Sequence, residues 1–323
     1  MQYRTLGKTG IRVSEIGYGA WGIGGELWQG ADDAESLRAL HAAADAGLNF
    51  IDTALAYGNG HSERLLGTFL RERKERIAVA TKIPPKNRRW PALPGSKIAD
   101  VFPPDYIVER TEESLKNLRV EVIDLQQFHV WNDDWAGQEE WRRAIERLKA
   151  DGKIRHAGIS INDHQPSNGL AAAETGVIDA FQVIYNIFDQ LPERELFPYC
   201  ARHNIGVIVR VPFDEGALTG NVTPETTFPP KDFRRNYFRG ARKEEVSRRI
   251  DALRPLLGGE AATLPELALR FCLHPGAVST VIPGMRSVKN VQANCAVSDG
   301  RSLSHSLIAE LRKHVWEKNY YND

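Results

Sequence analysis

Val122-Ile123-Asp124-Leu125-Gln126-Gln127-Phe128-His129 reads as a short buried strand, and the two segments after it decide the fold. Trp141, Ala144, Ile145 and Leu148 recur at helical spacing, after which His156-Ala157-Gly158-Ile159-Ser160 forms a second strand. Strand, helix and strand in this order make a parallel crossover, because parallel strands cannot be joined by a tight turn. Outward from this unit the pattern repeats. Further strands are expected at residues 15–19, 49–53, 77–82, 180–183, 206–211 and 280–283. Helical faces lie between them at Leu37, Leu40 and Ala44, at Ile107, Thr111, Leu115 and Leu118, and at Leu264, Leu267, Ala268 and Phe271. Asp32-Asp33-Ala34-Glu35 opens the first helix with a capping signal, and Gly47 closes it.

Eight strands alternating with helices predict an α/β fold, a closed (β/α)8 TIM barrel formed as one domain over residues 1–323; closure removes the sheet edges. A doubly wound open sheet is the alternative. Three stretches fall outside the repeat. Residues 1–13 suit a hairpin plugging the barrel floor, whereas 84–104 and 212–240 follow strands three and seven. Those two are loop insertions on the C-terminal face, where barrel active sites are built.

The composition narrows the function. With 42% apolar and 26% charged residues in 323, the chain can bury a large core, which excludes collagen, coiled-coil and disordered readings. Lys plus Arg and Asp plus Glu are 42 each, so no charge excess recruits nucleic acid or an anionic membrane, and a small-molecule partner is expected. Cys200, Cys272 and Cys295 lack disulfide-framework or metal spacing, which points to a reducing, cytoplasmic setting. Residues 1–5 show no secretory leader, and no apolar run approaches the ~20 residues of a membrane helix. The histidines form no HExxH and no metal is expected.

Two motifs mislead. Gly17-Tyr18-Gly19-Ala20-Trp21-Gly22 matches the dinucleotide fingerprint GxGxxG, but no helix opens there, and helical patterning begins only near Ala34. Gly7-Lys8-Thr9 resembles the tail of a P-loop, yet Gln2 stands where the motif requires glycine.

In a barrel, residues at the C-terminal ends of strands converge. Strand two ends in Asp52, Tyr57 follows in the next loop, strand three ends in Lys82 and strand four in His129. Each alone has an ordinary reading as a cap, a loop aromatic, a solvated strand end or a core histidine. Together they put ionisable groups where burial is expected, and a buried Lys82 needs an anion that Asp52 supplies. The chemistry this permits is proton donation by a phenol, with the Lys82 ammonium drawing Tyr57 down from its usual ~10 toward the working pH. His129 can donate to a carbonyl oxygen and polarise it. No nucleophile accompanies them, so a hydride from a cofactor is the missing reactant.

These residues carry a resemblance. Phe50-Ile51-Asp52-Thr53-Ala54, the run from Tyr57 through Gly67, Ala80-Thr81-Lys82, Asp124-Leu125-Gln126-Gln127-Phe128-His129 and Gly158-Ile159-Ser160 resemble the aldo-keto reductase superfamily in order and spacing over nearly the whole chain. The resemblance implies a nicotinamide cofactor, NADPH (NADP+) with NADH as a second candidate, and reduction of an aldehyde or ketone in which Tyr57 is the acid, Lys82 and Asp52 its tuners and His129 the carbonyl orienter. It places Ser160 and Gln182 on the carboxamide. Asn162 stands one residue beyond the family's usual Asn, displaced by Ile161.

Further cofactor contacts implied in the same way are Gly19, Trp21, Pro212, Gly216, Leu218 and Gly220, the last three in the run Phe213 to Gly220 whose backbone lies against the pyrophosphate. Arg210 replaces the family's frequent stacking aromatic; it either stacks on the nicotinamide or pairs with a cofactor phosphate or a nearby carboxylate. Beyond strand eight, Gly284, Arg286, Asn290 and Asn294 would meet the adenosine end, Arg286 taking the 2′-phosphate at a helix N-terminus that favours an anion. Trp21, Trp90 and Trp131 are expected in the substrate pocket, with Phe213 nearby. Arg88, Arg89, Arg234 and Arg235 either recognise an anionic or sugar-like substrate or form solvated loops. A cofactor-sensing protein with little turnover, like the channel-associated relatives of this barrel, is the alternative function; a glycosidase would need paired carboxylates that these strand ends lack.

Overall fold

A computed structural model describes residues 1–321. Strand β1 (Tyr3–Thr5) pairs antiparallel with β2 (Arg12–Ser14), with Arg4 opposite Val13. Eight strands then run parallel in one sheet: β3 (Tyr18–Gly19), β4 (Phe50–Asp52), β5 (Ala78–Ile83), β6 (Ile123–Phe128), β7 (Ile154–Ser160), β8 (Ala180–Ile184), β9 (Gly206–Arg210) and β10 (Thr280–Val281). Neighbours in the sheet are neighbours in sequence, from β3 through to β10. The ends of that order meet. Gly17 N donates to Val281 O at 2.8 Å, Val281 N to Glu15 O at 2.9 Å and Gly19 N to Pro283 O at 3.0 Å, so the barrel closes.

The first and last strands are shorter than the periodicity suggests. Pro283 has no N–H to give to a ladder, so its carbonyl alone joins the closure. At Gly19 a Cβ would stand 2.6 Å from Ile282 O, so the seam admits only glycine there. Central strands such as β5 and β6 are buried along their whole length, as expected where side chains face a packed interior on one side and helices on the other.

The hairpin plugs the barrel floor as its sequence indicates. Leu6 and Val13 pack with Phe50, Ala78, Ala80, Leu125, Ala180, Ile208 and Ile282 in one buried cluster. The fit is close: a Cβ on Gly7 would lie 2.2 Å from Gly206 N. The Gly7-Lys8-Thr9 motif is thus a floor turn, far from any phosphate role.

Outer helices cover the barrel. The helix Asp33–Asp45 begins at Asp32, whose side chain accepts from Glu35 N at 2.8 Å, and the helices Pro104–Leu118, Glu139–Ala150 and Leu264–Leu273 bury the faces that the spacing marks. The insertion after β5 carries a short helix, Ile98–Val101, and that after β9 carries the helix Phe233–Tyr237. The pattern of repeats does not reveal the tail. After the helix His305–Arg312 the chain returns to the C-terminal face, where Tyr320 packs on Arg242 and the Tyr321 hydroxyl donates to Glu215 at 2.6 Å. Among the described residues no helix is long and apolar enough to cross a membrane, and no cluster of His, Cys, Asp and Glu suits a metal ion.

Candidate active site

Asp52 ends β4, Lys82 lies one residue before the end of β5, and His129 directly follows β6. A turn closed by Tyr57 N to Ala54 O (3.0 Å) and Gly60 N to Leu55 O (2.7 Å) brings Tyr57 over Lys82. All three ammonium protons of Lys82 are used: on Asp52 Oδ1 at 2.5 Å, Thr53 O at 2.8 Å and Tyr57 Oη at 3.2 Å. The other Asp52 oxygen accepts from Gln182 Nε2 at 2.7 Å and Gln127 Nε2 at 3.0 Å. Gln127, in register with Lys82, is therefore a member of the site that its sequence does not announce, since a polar residue in a strand has many uses.

Burial dominates the electrostatics. It pushes the Tyr57 phenol above its ordinary value, and the Lys82 ammonium offsets this only in part. Lys82 does draw Tyr57 down, by its charge and by its hydrogen bond, but not below the ordinary value; in a site this dry, desolvation of the phenolate outweighs the nearby charge. For Lys82 itself, burial favours loss of the proton, but Asp52 and Tyr57 prevail and hold its pKa up. His129 is pushed well below the usual imidazole range by burial, reinforced by Lys82 and Arg210, so it is neutral at physiological pH. Its ring meets Tyr57 edge-on at 5.8 Å and Trp90 edge-on at 5.7 Å.

Above these groups opens a cavity of about 1290 Å³. Asp52, Tyr57 and His129 form its floor, while Lys82 is fully buried behind them. Gly19, Trp21, Ser160, Asn162, Gln182, Arg210, Pro212, Gly216, Gly284, Arg286, Asn290 and Asn294 all line it, as does Trp90. Residues as far apart in the chain as Gly19 and Asn294 are thus brought together by closure of the barrel.

Several expectations need correction. Trp131 does not reach the cavity: it is 0% exposed, and its indole packs edge-on against Trp135 and Trp141 while Nε1 donates to Asp133. An aromatic just past a strand end can turn inward or outward, and here the Phe128 side of the core claims it. Leu218 and Gly220 also stand behind the lining; the Gly216 and Leu218 N–H groups both go to Phe213 O, so they are committed within the turn Asp214–Thr219. Asn162 lines the cavity, but its amide braces Trp131, accepting from its N at 3.2 Å and donating to its O at 2.8 Å.

Arg210 pairs with a carboxylate, donating to Asp163 at 2.7 Å and to Ile161 O at 3.0 Å. Arg286 is different. It donates to Gln29 O at 2.8 Å and has no carboxylate at ion-pair distance among the described residues, while burial and then Arg234 lower its pKa. At the N-terminus of the helix Val288–Ala296 beyond it two N–H groups are already taken: Ser287 Oγ accepts from Asn290 N, and Glu35 accepts from Val288 N at 3.4 Å. Of the loop arginines, Arg88 and Arg234 line the cavity and Arg89 and Arg235 do not; Arg234 is held by Asp232 and lies over the Trp28 ring.

The residues present fit a dinucleotide. The cavity is large, has glycines at Gly216 and Gly284 where a Cβ would meet no other atom, and holds the Arg286 guanidinium, which has no carboxylate at ion-pair distance among the described residues. Comparison with known proteins agrees. Residues 15–315 match the aldo/keto reductase family. The chain is 31% identical to the aldo-keto reductase YhdN of Bacillus subtilis over 298 residues, 91% of this chain and 87% of the relative. It is 30% identical to an NADH-specific methylglyoxal reductase of Escherichia coli over 304 residues, 90% of this chain and 91% of the relative. Among solved structures it is similar to a glycerol dehydrogenase from Gluconobacter oxydans, with a TM-score of 0.80 and 32% identity over 98% of this chain and 97% of the other. Barrel, site and sequence agree that this chain belongs to the aldo/keto reductase family of oxidoreductases.

Proposed function

We propose that this protein reduces the carbonyl group of a small aldehyde or ketone to an alcohol with NADPH, Tyr57 delivering the proton. The observation that carries the reading is the Tyr57–Lys82–Asp52 chain of hydrogen bonds at the floor of a cavity roomy enough for a dinucleotide. The nicotinamide, when bound, supplies the hydride. The chain's own residues do the rest. A phenol raised by burial keeps its proton at neutral pH and has it to give, and the adjacent ammonium stabilises the phenolate left behind. Neutral His129 donates to the same carbonyl oxygen and orients it beneath Trp90 and Trp21. Gln182 has spent its Nε2 on Asp52, which leaves Oε1 for a carboxamide N–H beside Ser160.

Arg286 supports preference for the 2′-phosphate, because a half-buried guanidinium with no carboxylate at ion-pair distance among the described residues is free to pair with a dianion. The direct test is consumption of NADPH, and in parallel NADH, with a panel of aliphatic aldehydes, aromatic ketones and keto-sugars. Turnover is expected with at least one carbonyl class and faster with NADPH at limiting cofactor. Tight NADPH binding with no carbonyl reduced across the panel would replace this reading with the cofactor-sensing one.

A further inference from the structure

Glu215 lines the cleft and takes no part in the chemistry above. It lies in the turn Asp214–Thr219 and is 6% exposed. Its backbone is left-handed, with φ 54°, as is Gly216 after it, with φ 107°. The donor to its carboxyl is neutral, the Tyr321 hydroxyl at 2.6 Å. Among the described residues no cation lies at ion-pair distance from it. The two guanidiniums nearby are committed elsewhere, Arg210 to Asp163 and Arg242 to Asp214. Two further carboxylates, Asp214 and Asp163, add like charge, and Arg210 offsets them only through space. From the neighbouring helix Tyr237 completes the surroundings, its hydroxyl donating to Asp214 at 2.6 Å.

A buried carboxylate so placed is at odds with an anionic ligand in the same groove. Each phosphate that enters makes the ionised form harder to keep, and the low dielectric magnifies the repulsion. Resting on the cofactor reading above, we propose that Glu215 is the proton-accepting group of the cofactor site: binding of a nicotinamide dinucleotide is coupled to transfer of one proton from solvent to this carboxylate. The protonated carboxyl then stands beside the pyrophosphate as a neutral hydrogen-bond donor. Burial already pushes Glu215 up to about 7 without a ligand, within reach of physiological pH.

The test is calorimetry of NADPH binding at about pH 8 in two buffers of different ionisation enthalpy, which counts the protons exchanged. Wild type is expected to take up close to one proton, with affinity falling by up to about tenfold per pH unit above the free-state pKa. Glu215→Gln is expected to take up none and to bind with little pH dependence. NADH, which lacks the 2′-phosphate, is expected to show the same uptake, placing the proton on the protein. Tyr321→Phe removes the donor that favours the ionised form, so part of the proton is already present at this pH and the uptake is smaller. Binding with no proton uptake, or undiminished uptake in Glu215→Gln, overturns the proposal while leaving the cofactor reading intact. Absence of binding by either dinucleotide overturns both.

Discussion

Around Tyr57 every charged group is paired: Lys82 has three acceptors, Asp52 has three donors, and Gln127 and Gln182 complete the chain. Across the cleft, on the loops that follow β9 and β10, Glu215 has only a neutral partner and Arg286 only a backbone carbonyl. The groups of the first region satisfy one another, as the proposed proton donor requires if the chemical step is to cost little reorganisation. The second holds unspent charge, which suits a surface that a dinucleotide completes. Rigidity of strands underlies the first, whereas the second is carried by loops and a returning tail.

The largest effect is expected at Lys82. Lys82→Met should leave Asp52 buried without its cation, costing on the order of 3–5 kcal/mol of stability in chemical denaturation as well as turnover. Unchanged stability would mean that the paired region is not held by its charges. On the other side Arg286→Ala, which leaves no buried carboxylate unpaired, should fold normally. It should weaken NADPH by about ten- to a hundredfold, the worth of one charge-assisted contact, and NADH far less, as read by fluorescence titration. Equal losses for both cofactors would place the 2′-phosphate elsewhere. Trp90, half exposed and meeting His129 only by its ring edge, sharpens the boundary between the two regions. Trp90→Ala should lower kcat/KM for ring-bearing carbonyls by no more than about tenfold, through an aromatic contact worth ~0.5–1.5 kcal/mol, and leave cofactor affinity unchanged.

The same division explains what was legible in the sequence. Asp52, Lys82 and His129 could be found because a barrel aims every strand end at one place, so three ionisable residues at apolar strand ends mark the site without any long-range information. The floor hairpin was legible for a similar reason, since residues 1–13 precede the first repeat and have no other role in it. Trp131 was misread because a tryptophan shortly beyond a strand end carries no sign of which way it turns; its core neighbours Trp135 and Trp141 decide that. The net position of Tyr57 is not legible because sequence shows the cation that lowers it but not the depth of burial that outweighs it. Glu215 and Tyr321, 106 positions apart, meet only because the tail returns over the insertion after β9, a contact that no periodicity encodes.

If Tyr57 gives the proton while the opposite loops hold the cofactor, loss of the hydroxyl must separate chemistry from binding. That separation is tested most directly by measuring NADPH binding and NADPH oxidation side by side in wild type and Tyr57→Phe, with the best carbonyl from the panel. Turnover is expected to fall by about 10²–10⁴-fold with cofactor affinity nearly unchanged. Turnover that survives the loss of the hydroxyl would contradict this role of Tyr57, and the proton would then have to come from another group on the cavity floor.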